Sequence, residues 1–275
     1  MTFLFVIGTG RCGSTLLARL LAAHPDVGFV ATPDDPLTPW EAYELLAEEV
    51  SPVLVAPCRD LTARDVQPVL RPRLRRFFEE RARAQGKPVF LHKFTGWPRA
   101  GFVHEALPGS RFVHLVRDGR AVASSLLQVP WWQGRAGPGG WGFGPLPPAA
   151  ASAWEASGRS FALLAGLEWK LLLHAFDAAR EAIPADRWLD LRYEDLVADP
   201  RTELTALLRF AGLDWSEEVA ERLEALAVSR SRTDAYRDEL RPEDLQLLDA
   251  SLAPELVRWA YLKGPVSPGL RRRHP

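Results

Sequence analysis

Apolar residues run without interruption from position 3 to position 7, and a glycine-containing loop separates them from a Leu- and Ala-rich segment at 16–21. A continuous apolar run is typical of a strand buried on both faces of a parallel sheet, and the second segment has helical spacing. The beginning of the chain therefore predicts a strand, a loop and a helix.

The same alternation continues along the chain. It predicts an α/β fold of three layers (αβα), in which helices cover both faces of a central parallel sheet whose strand ends line one crevice. Strands are predicted at 27–30, 88–94, 111–116 and 188–191, and helices at 40–49, 66–85, 104–107, 118–127, 151–182 and 200–211.

Residues 131–148 are dense in Gly, Pro and Trp. A connection of this length in a compact domain usually has a function or is disordered, and the tryptophans favour a lid. We expect a helical and Trp/Gly/Pro-rich lid or substrate region over about 128–185, within a single domain covering 1–275. The pattern leaves open whether the tryptophans close over a ligand or pack into the core.

Composition narrows the function classes. With 275 residues, of which 47% are hydrophobic, the chain can bury a substantial core, and a net charge of -1 gives no reason to expect a nucleic-acid partner. Only Cys12 and Cys58 are present, so a disulfide framework is not expected. The first apolar run is too short to span a membrane, and we expect a cytoplasmic protein.

The first loop has the features of a phosphate site. Gly8, Gly13 and Thr15 fit the frame G-x-x-x-x-G-K-[ST] of nucleotide-triphosphate loops, but Ser14 stands where that frame requires lysine. Arg11 would supply the positive charge instead, and the hydroxyls of Ser14 and Thr15 would supply hydrogen bonds. The loop therefore predicts an anion site that differs from that of Mg-dependent NTPases.

A second anion site is predicted after the strand at 111–116. Arg117 lies at the strand end, and Ser125 follows eight positions later on the predicted helix, about two turns on. A guanidinium and a hydroxyl in this arrangement could hold one phosphate from two directions. Two separate anion sites indicate a nucleotide that is phosphorylated at both ends.

Together the two motifs resemble those of sulfotransferases that use 3′-phosphoadenosine 5′-phosphosulfate (PAPS), and the short N-terminal segment resembles the soluble, bacterial type. The resemblance implies a fold related to the P-loop NTPases, PAPS as co-substrate and no metal. It implies that the 5′-phosphosulfate is bound by Gly10, Arg11, Cys12, Gly13, Ser14 and Thr15, that the 3′-phosphate is bound by Arg117 and Ser125, and that Tyr193 lies near the nucleotide.

The implied reaction is in-line transfer of a sulfuryl group to a hydroxyl or amine, which leaves 3′,5′-ADP. Arg11 and Lys93 are the expected electrostatic catalysts. The general base is open: relatives with the turn H-P-x-V often carry a Glu soon after it, whereas this chain has Ala31 and Thr32 there. Three residues are candidates for the base, namely Asp34, Asp35 and His92.

The acceptor is not determined by the sequence and could be a small molecule, a carbohydrate or a peptide. Arg230, Arg232 and Arg237 could form a last phosphate contact or a solvated helix face. Two other functions remain possible: a degenerate P-loop kinase or NTPase, and a nucleotide-binding module that has lost catalysis. The oligomeric state is also open.

Overall fold

The computed structural model describes residues 1–29, 61–228 and 230–263. Asp34, Asp35 and the helix predicted at 40–49 lie outside this part of the chain. Contacts divide the chain into two compact units, Met1–Val116 with His174–Ser229 and Arg117–Leu173 with Arg230–Pro275. Most of the region predicted as a lid belongs to the second unit, and the single-domain assignment stays a prediction.

The described elements follow the predicted alternation. The strands are β1 Thr2–Gly8, β2 Val27–Phe29, β3 Val89–Thr95, β4 Arg111–Val116 and β5 Trp188–Arg192. The α-helices are α1 Ser14–Leu21, α2 Leu70–Gln85, α3 Ala100–Ala106, α4 Gly119–Leu127, α5 Pro148–Ala156, α6 Phe161–Glu181, α7 Tyr193–Ala198, α8 Pro200–Ala211, α9 Glu217–Ala225, α10 Tyr236–Glu239 and α11 Pro242–Arg258.

The first unit is built on the sheet, whose strand order is β2-β3-β1-β4-β5. All four strand pairings are parallel, and β1 lies at the centre between β3 and β4. Chain order places β2 and β3 on one side of β1 and β4 and β5 on the other. The strand order thus reverses at β1, and in such sheets ligands bind beyond the carboxyl ends of the strands at the reversal.

Both faces of the sheet are covered, as the uninterrupted apolar run predicts. Phe5 and Ile7 of β1 pack in a core with α2 and α3, whereas Leu4 and Val6 pack in a second core with α1, α7 and α8. Successive side chains of a strand point to opposite faces, so a strand buried on both sides must be apolar throughout. The predicted three-layer α/β architecture is confirmed.

The second unit contains α4, α5, the part of α6 up to Leu173, α10 and α11. The prediction of one helix over 151–182 is wrong, since α5 and α6 are separate helices. Gly158 and Arg159 lie between them with φ of 68° and 64°. This left-handed backbone ends a helix, and glycine adopts it without a steric penalty.

Two tryptophans of the Trp/Gly/Pro-rich segment are packed inside the second unit. The Trp132 indole N–H donates to the buried carboxylate of Glu168 (2.8 Å), and that of Trp141 donates to the Gly144 carbonyl (2.6 Å). Burial raises the pKa of Glu168 to about 7, against the opposing effect of the Trp132 hydrogen bond. Trp131, in contrast, is 61% exposed.

Across the described ranges, which omit 30–60, 229 and the last twelve positions, no helix has the length and apolar character needed to cross a membrane.

His92 occupies a core position of β3. Its ring is fully buried in the core that contains Phe5 and Phe78, with a centroid distance of 5.5 Å to Phe78 and 5.4 Å to Phe94. Neither ring nitrogen has a hydrogen-bond partner among the described residues. Burial, and then the charges of Arg81 and Lys93, lower the pKa of His92 to about 3. The ring is therefore neutral and enclosed by apolar groups.

We expect the protein to lose stability in acid, and we expect His92→Phe to reduce this loss. Because the pKa of His92 is lower in the folded than in the unfolded chain, its contribution is complete above pH 6.5 and is lost as the pH falls toward 3. Between pH 7 and pH 4 the wild type should lose about 3 kcal/mol of unfolding free energy more than the variant. Urea unfolding at both pH values measures this difference, with His174→Gln on the exposed surface of α6 as the control. Equal acid sensitivity of wild type and His92→Phe would contradict the assignment.

Candidate active site

The loop between β1 and α1 lies at the carboxyl end of the central strand. Gly8 ends β1, and a Cβ at this position would lie 2.5 Å from the carbonyl oxygen of Leu115 in β4. Only glycine permits this approach of the two backbones. The loop therefore starts from a fixed point between two neighbouring strands.

The loop turns into α1 through two residues with positive φ. Arg11 has φ 62°, and Gly13, with φ 96°, is the N-cap residue of α1. Among the residues that the structure describes, no side chain caps this helix start, and the first turn of the helix contains no acidic residue. The first N–H groups of a helix lack intrahelical acceptors and carry the positive end of the helix dipole. Ser14, Thr15 and the loop backbone thus present donors suited to an anion.

Lys93 brings a positive charge to the same helix start. It extends from β3, next to β1 in the sheet, and its Nζ lies 3.5 Å from Oγ1 of Thr15. The side chain is 4% exposed. Lys93 and His92 are neighbours in sequence but face opposite sides of the sheet, so the structure brings Lys93 to the loop and His92 into the core.

The Tyr193 ring packs against the loop between β1 and α1, although the two are far apart in the sequence. A Cβ on Gly13 would be 2.5 Å from Cδ2 of the Tyr193 ring, which is itself 7% exposed. Tyr193 begins α7 directly after β5. The structure therefore brings together Gly13 and Tyr193, which the sequence resemblance assigns to the same nucleotide.

Cys12 is fully buried within the loop, and its burial raises the pKa of the thiol above its ordinary value. The thiol is therefore protonated at neutral pH. This placement fits a small packing residue rather than a reactive thiolate.

Arg117 and Ser125 belong to the second unit and are both largely buried, with 8% and 9% exposure. The Arg117 guanidinium donates to the carbonyl of Arg232 (2.7 Å), and the Arg117 carbonyl accepts from the Trp169 indole (3.1 Å). Gly119 allows this contact, because a Cβ there would lie 2.6 Å from the Trp169 ring. The backbone on either side of Asp118 is thus held by Trp169.

Asp118 is the N-cap residue of α4 and forms a buried pair with Arg120. The Arg120 guanidinium donates to both carboxylate oxygens of Asp118 (3.0 and 2.6 Å) and also to Asp249 (2.7 Å). Asp118 therefore pairs with Arg120, which fixes the start of the helix that carries Ser125. Sequence reasoning missed the contact of Arg120 with Asp249, which lies 129 positions away.

The three arginines near the end of the chain do not behave alike. Arg232 pairs with Glu239 (2.8 Å), and Arg237 pairs with Asp234 (3.3 Å). Arg230 begins a 3₁₀ turn that ends at Arg232. A phosphate contact by any of them stays a prediction.

We expect Gly13→Ala to lower the unfolding free energy by about 2 kcal/mol or more, because a side chain at positive φ is strained and would also overlap the Tyr193 ring. Gly10→Ala is the matched control, since no atom of the described residues lies within 4 Å of a Cβ there. Urea unfolding of both variants measures the effect. Equal stability of the two variants would show that Tyr193 does not press on the loop as described.

Comparison with known proteins agrees with this geometry. An omega-hydroxy-beta-dihydromenaquinone-9 sulfotransferase from Mycobacterium tuberculosis is 24% identical over 68% of this chain and 44% of its own length. Nodulation protein NoeE from Sinorhizobium fredii is 27% identical over 92% of this chain and 64% of its own length. The chain thus spans about half to two thirds of these curated relatives.

The fold is shared with solved structures as well. A sulfotransferase from Mycobacterium avium superimposes with a TM-score of 0.58 at 16% identity, over 93% of this chain and 76% of that one. A sequence model described as the sulfotransferase family matches residues 4–217, which is most of the chain. The chain therefore belongs to the sulfotransferase family.

Proposed function

We propose that the protein transfers a sulfuryl group from PAPS to a hydroxyl or amine of an acceptor and releases 3′,5′-ADP. The observation that carries the proposal is the loop before α1. It has an uncapped helix start, serine in place of the P-loop lysine, and the Lys93 ammonium supplied from β3 near Thr15. This arrangement supports binding of an anion whose negative charge is neutralised by the N–H groups of the helix start and by the Lys93 ammonium.

The loop residues fit the 5′ end of the donor. We propose that the backbone of Gly10, Cys12 and Gly13, with the hydroxyls of Ser14 and Thr15, holds the 5′-phosphosulfate. The absence of a side chain on Gly13 supports this, because it lets the Tyr193 ring lie directly against the loop at the helix start.

The remaining donor contacts are proposed from the second motif. Arg117 and Ser125 would bind the 3′-phosphate, and Tyr193 would contact the nucleotide. The burial of the Arg117 guanidinium supports its use in a fixed, directional contact, since a guanidinium has five donors in a rigid planar arrangement.

The chemistry requires stabilisation of negative charge. PAPS supplies a sulfuryl group whose bond to the 5′-phosphate oxygen breaks as a bond to the acceptor oxygen or nitrogen forms, and the acceptor proton leaves to a base. Lys93 and Arg11 would stabilise the charge on the bridging and equatorial oxygens. Because Lys93 is largely buried beside Thr15, its charge is poorly screened by solvent.

The identity of the general base is undecided between Asp34 and Asp35. Turnover of the Asp34→Ala and Asp35→Ala variants tests each residue. His92 is left out of the proposed chemistry, since its ring is buried among phenylalanines with a pKa of about 3. In the described part of the chain no cluster of three or more His, Cys, Asp or Glu could hold a metal ion, and metal independence stays a prediction.

The acceptor class stays open among small molecules, carbohydrates and peptides. Trp132 and Trp141 are engaged in packing, so the exposed Trp131 is the tryptophan of this segment that we propose for acceptor contact. The cytoplasmic location stays a prediction.

Two measurements test the proposal. Calorimetry should show that 3′,5′-ADP binds more tightly than ATP with Mg²⁺, and incubation with PAPS and an acceptor panel should give products heavier by one SO₃ group. Lys93→Met should lower turnover by about 10²-fold or more with little change in 3′,5′-ADP affinity, because 3′,5′-ADP lacks the group that Lys93 stabilises. Lys87→Met, on the exposed surface before β3, is the control.

The outcomes separate the alternatives. Tight binding of ATP with Mg²⁺ and weak binding of 3′,5′-ADP would support a kinase or NTPase and contradict the proposal. Binding of PAPS with no product from any acceptor would support a catalytically inactive module.

A further inference from the structure

We propose that Glu239 is a positioning residue for the 3′-phosphate site, acting through Arg232 on Arg117. The inference rests on the proposed function, because it assumes that Arg117 and Ser125 bind that phosphate. All of these residues lie in the second unit.

Glu239 ties the end of α10 to α4 and to Arg232. Its carboxylate accepts hydrogen bonds from the Ser124 hydroxyl on α4 and from Nε2 of Gln128 (2.8 Å), the C-cap residue of that helix. Its other oxygen pairs with the Arg232 guanidinium (2.8 Å). Hydrogen bonding by Ser124 makes the largest contribution to a lowered pKa of Glu239, so the group is charged at neutral pH.

Arg232 connects this carboxylate to Arg117. The Arg232 carbonyl accepts the hydrogen bond from the Arg117 guanidinium (2.7 Å), while the Arg232 side chain is held by Glu239. Arg232 ends a 3₁₀ turn of three residues. A single turn of this kind has little stability of its own, so its position depends on such side-chain contacts.

The contacts from Arg117 through Arg232 and Glu239 to Ser124 form a closed network, because Arg117 and Ser124 belong to the same stretch of chain around α4. Arg117 directly precedes the N-cap of α4, and Ser124 directly precedes Ser125 on the same helix. Glu239 therefore holds the Arg232 carbonyl in a fixed place relative to both phosphate ligands. An arginine loses considerable rotamer entropy when it is ordered, and a fixed acceptor carbonyl that orders it in advance should favour phosphate binding.

The contacts of Glu239 also explain why the sequence does not show whether Arg232 contributes to a phosphate site. The Arg232 side chain is paired with a carboxylate, and its contribution to Arg117 comes from its backbone carbonyl. The residue type at 232 does not show such a role. The partner of Ser124 is likewise invisible, since Glu239 lies 115 positions further on.

The test compares the affinities of 3′,5′-ADP and 5′-AMP, which differ only in the 3′-phosphate. We expect Glu239→Ala to weaken 3′,5′-ADP binding about tenfold and to leave 5′-AMP binding unchanged, the size of one charge-assisted hydrogen bond partly lost. In turnover assays the KM for PAPS should rise while kcat is retained. Ser124→Ala, which removes one contact of this network, should weaken 3′,5′-ADP binding in the same way but by a smaller factor.

The control is Glu243→Gln, an exposed carboxylate whose ion pair with Arg241 lies at the surface. Thermal unfolding of each variant establishes that it is folded, and if Glu239→Ala does not fold, Ser124→Ala and Glu239→Gln carry the test. Equal loss of affinity for both nucleotides, or no loss for either, would overturn the inference. If the wild type itself fails to prefer 3′,5′-ADP over 5′-AMP, the proposed 3′-phosphate site fails first, so the two failures can be told apart.

Discussion

The central strand β1 determines where chemistry can occur in the first unit. It has a hydrogen-bonded neighbour on each edge and an apolar core on each face, so its carboxyl end is where a ligand can reach it. Gly8 ends the strand under the Leu115 carbonyl, and Gly13 opens α1 beside Tyr193. Because α1 comes directly after the β1 loop and Lys93 extends from the neighbouring strand β3, the uncapped helix start and the Lys93 ammonium lie at the same place.

Much of this could be predicted from the sequence, because burial on both faces requires an uninterrupted apolar run and a glycine loop must follow it. The strands and the loop are such features. The break between α5 and α6 was not predicted, because the spacing of apolar positions over 154–161 runs across Gly158 and Arg159 without showing their positive φ. Local patterns also could not show that His92 faces the core and Lys93 the loop, because the face of a strand depends on register with β1.

Pairs of charged or polar side chains were the feature hardest to predict from the sequence. Arg120 pairs with Asp118 and with Asp249, and Ser124 pairs with Glu239. Asp249 and Glu239 each lie more than a hundred positions from their partners. Such pairs result from the packing of α10 and α11 on α4, which no periodicity records. The resemblance seen in the sequence depends on two short motifs rather than on these pairs, and each motif lies where a strand leads into a helix.

A crystal structure of the protein with 3′,5′-ADP is the most direct test of the proposed nucleotide site. We predict that the 5′-phosphate accepts hydrogen bonds from the backbone N–H groups at Gly13, Ser14 and Thr15, and that the 3′-phosphate contacts Arg117 and Ser125. A nucleotide bound with its 5′-phosphate away from this helix start, or with its 3′-phosphate in solvent, would contradict this prediction.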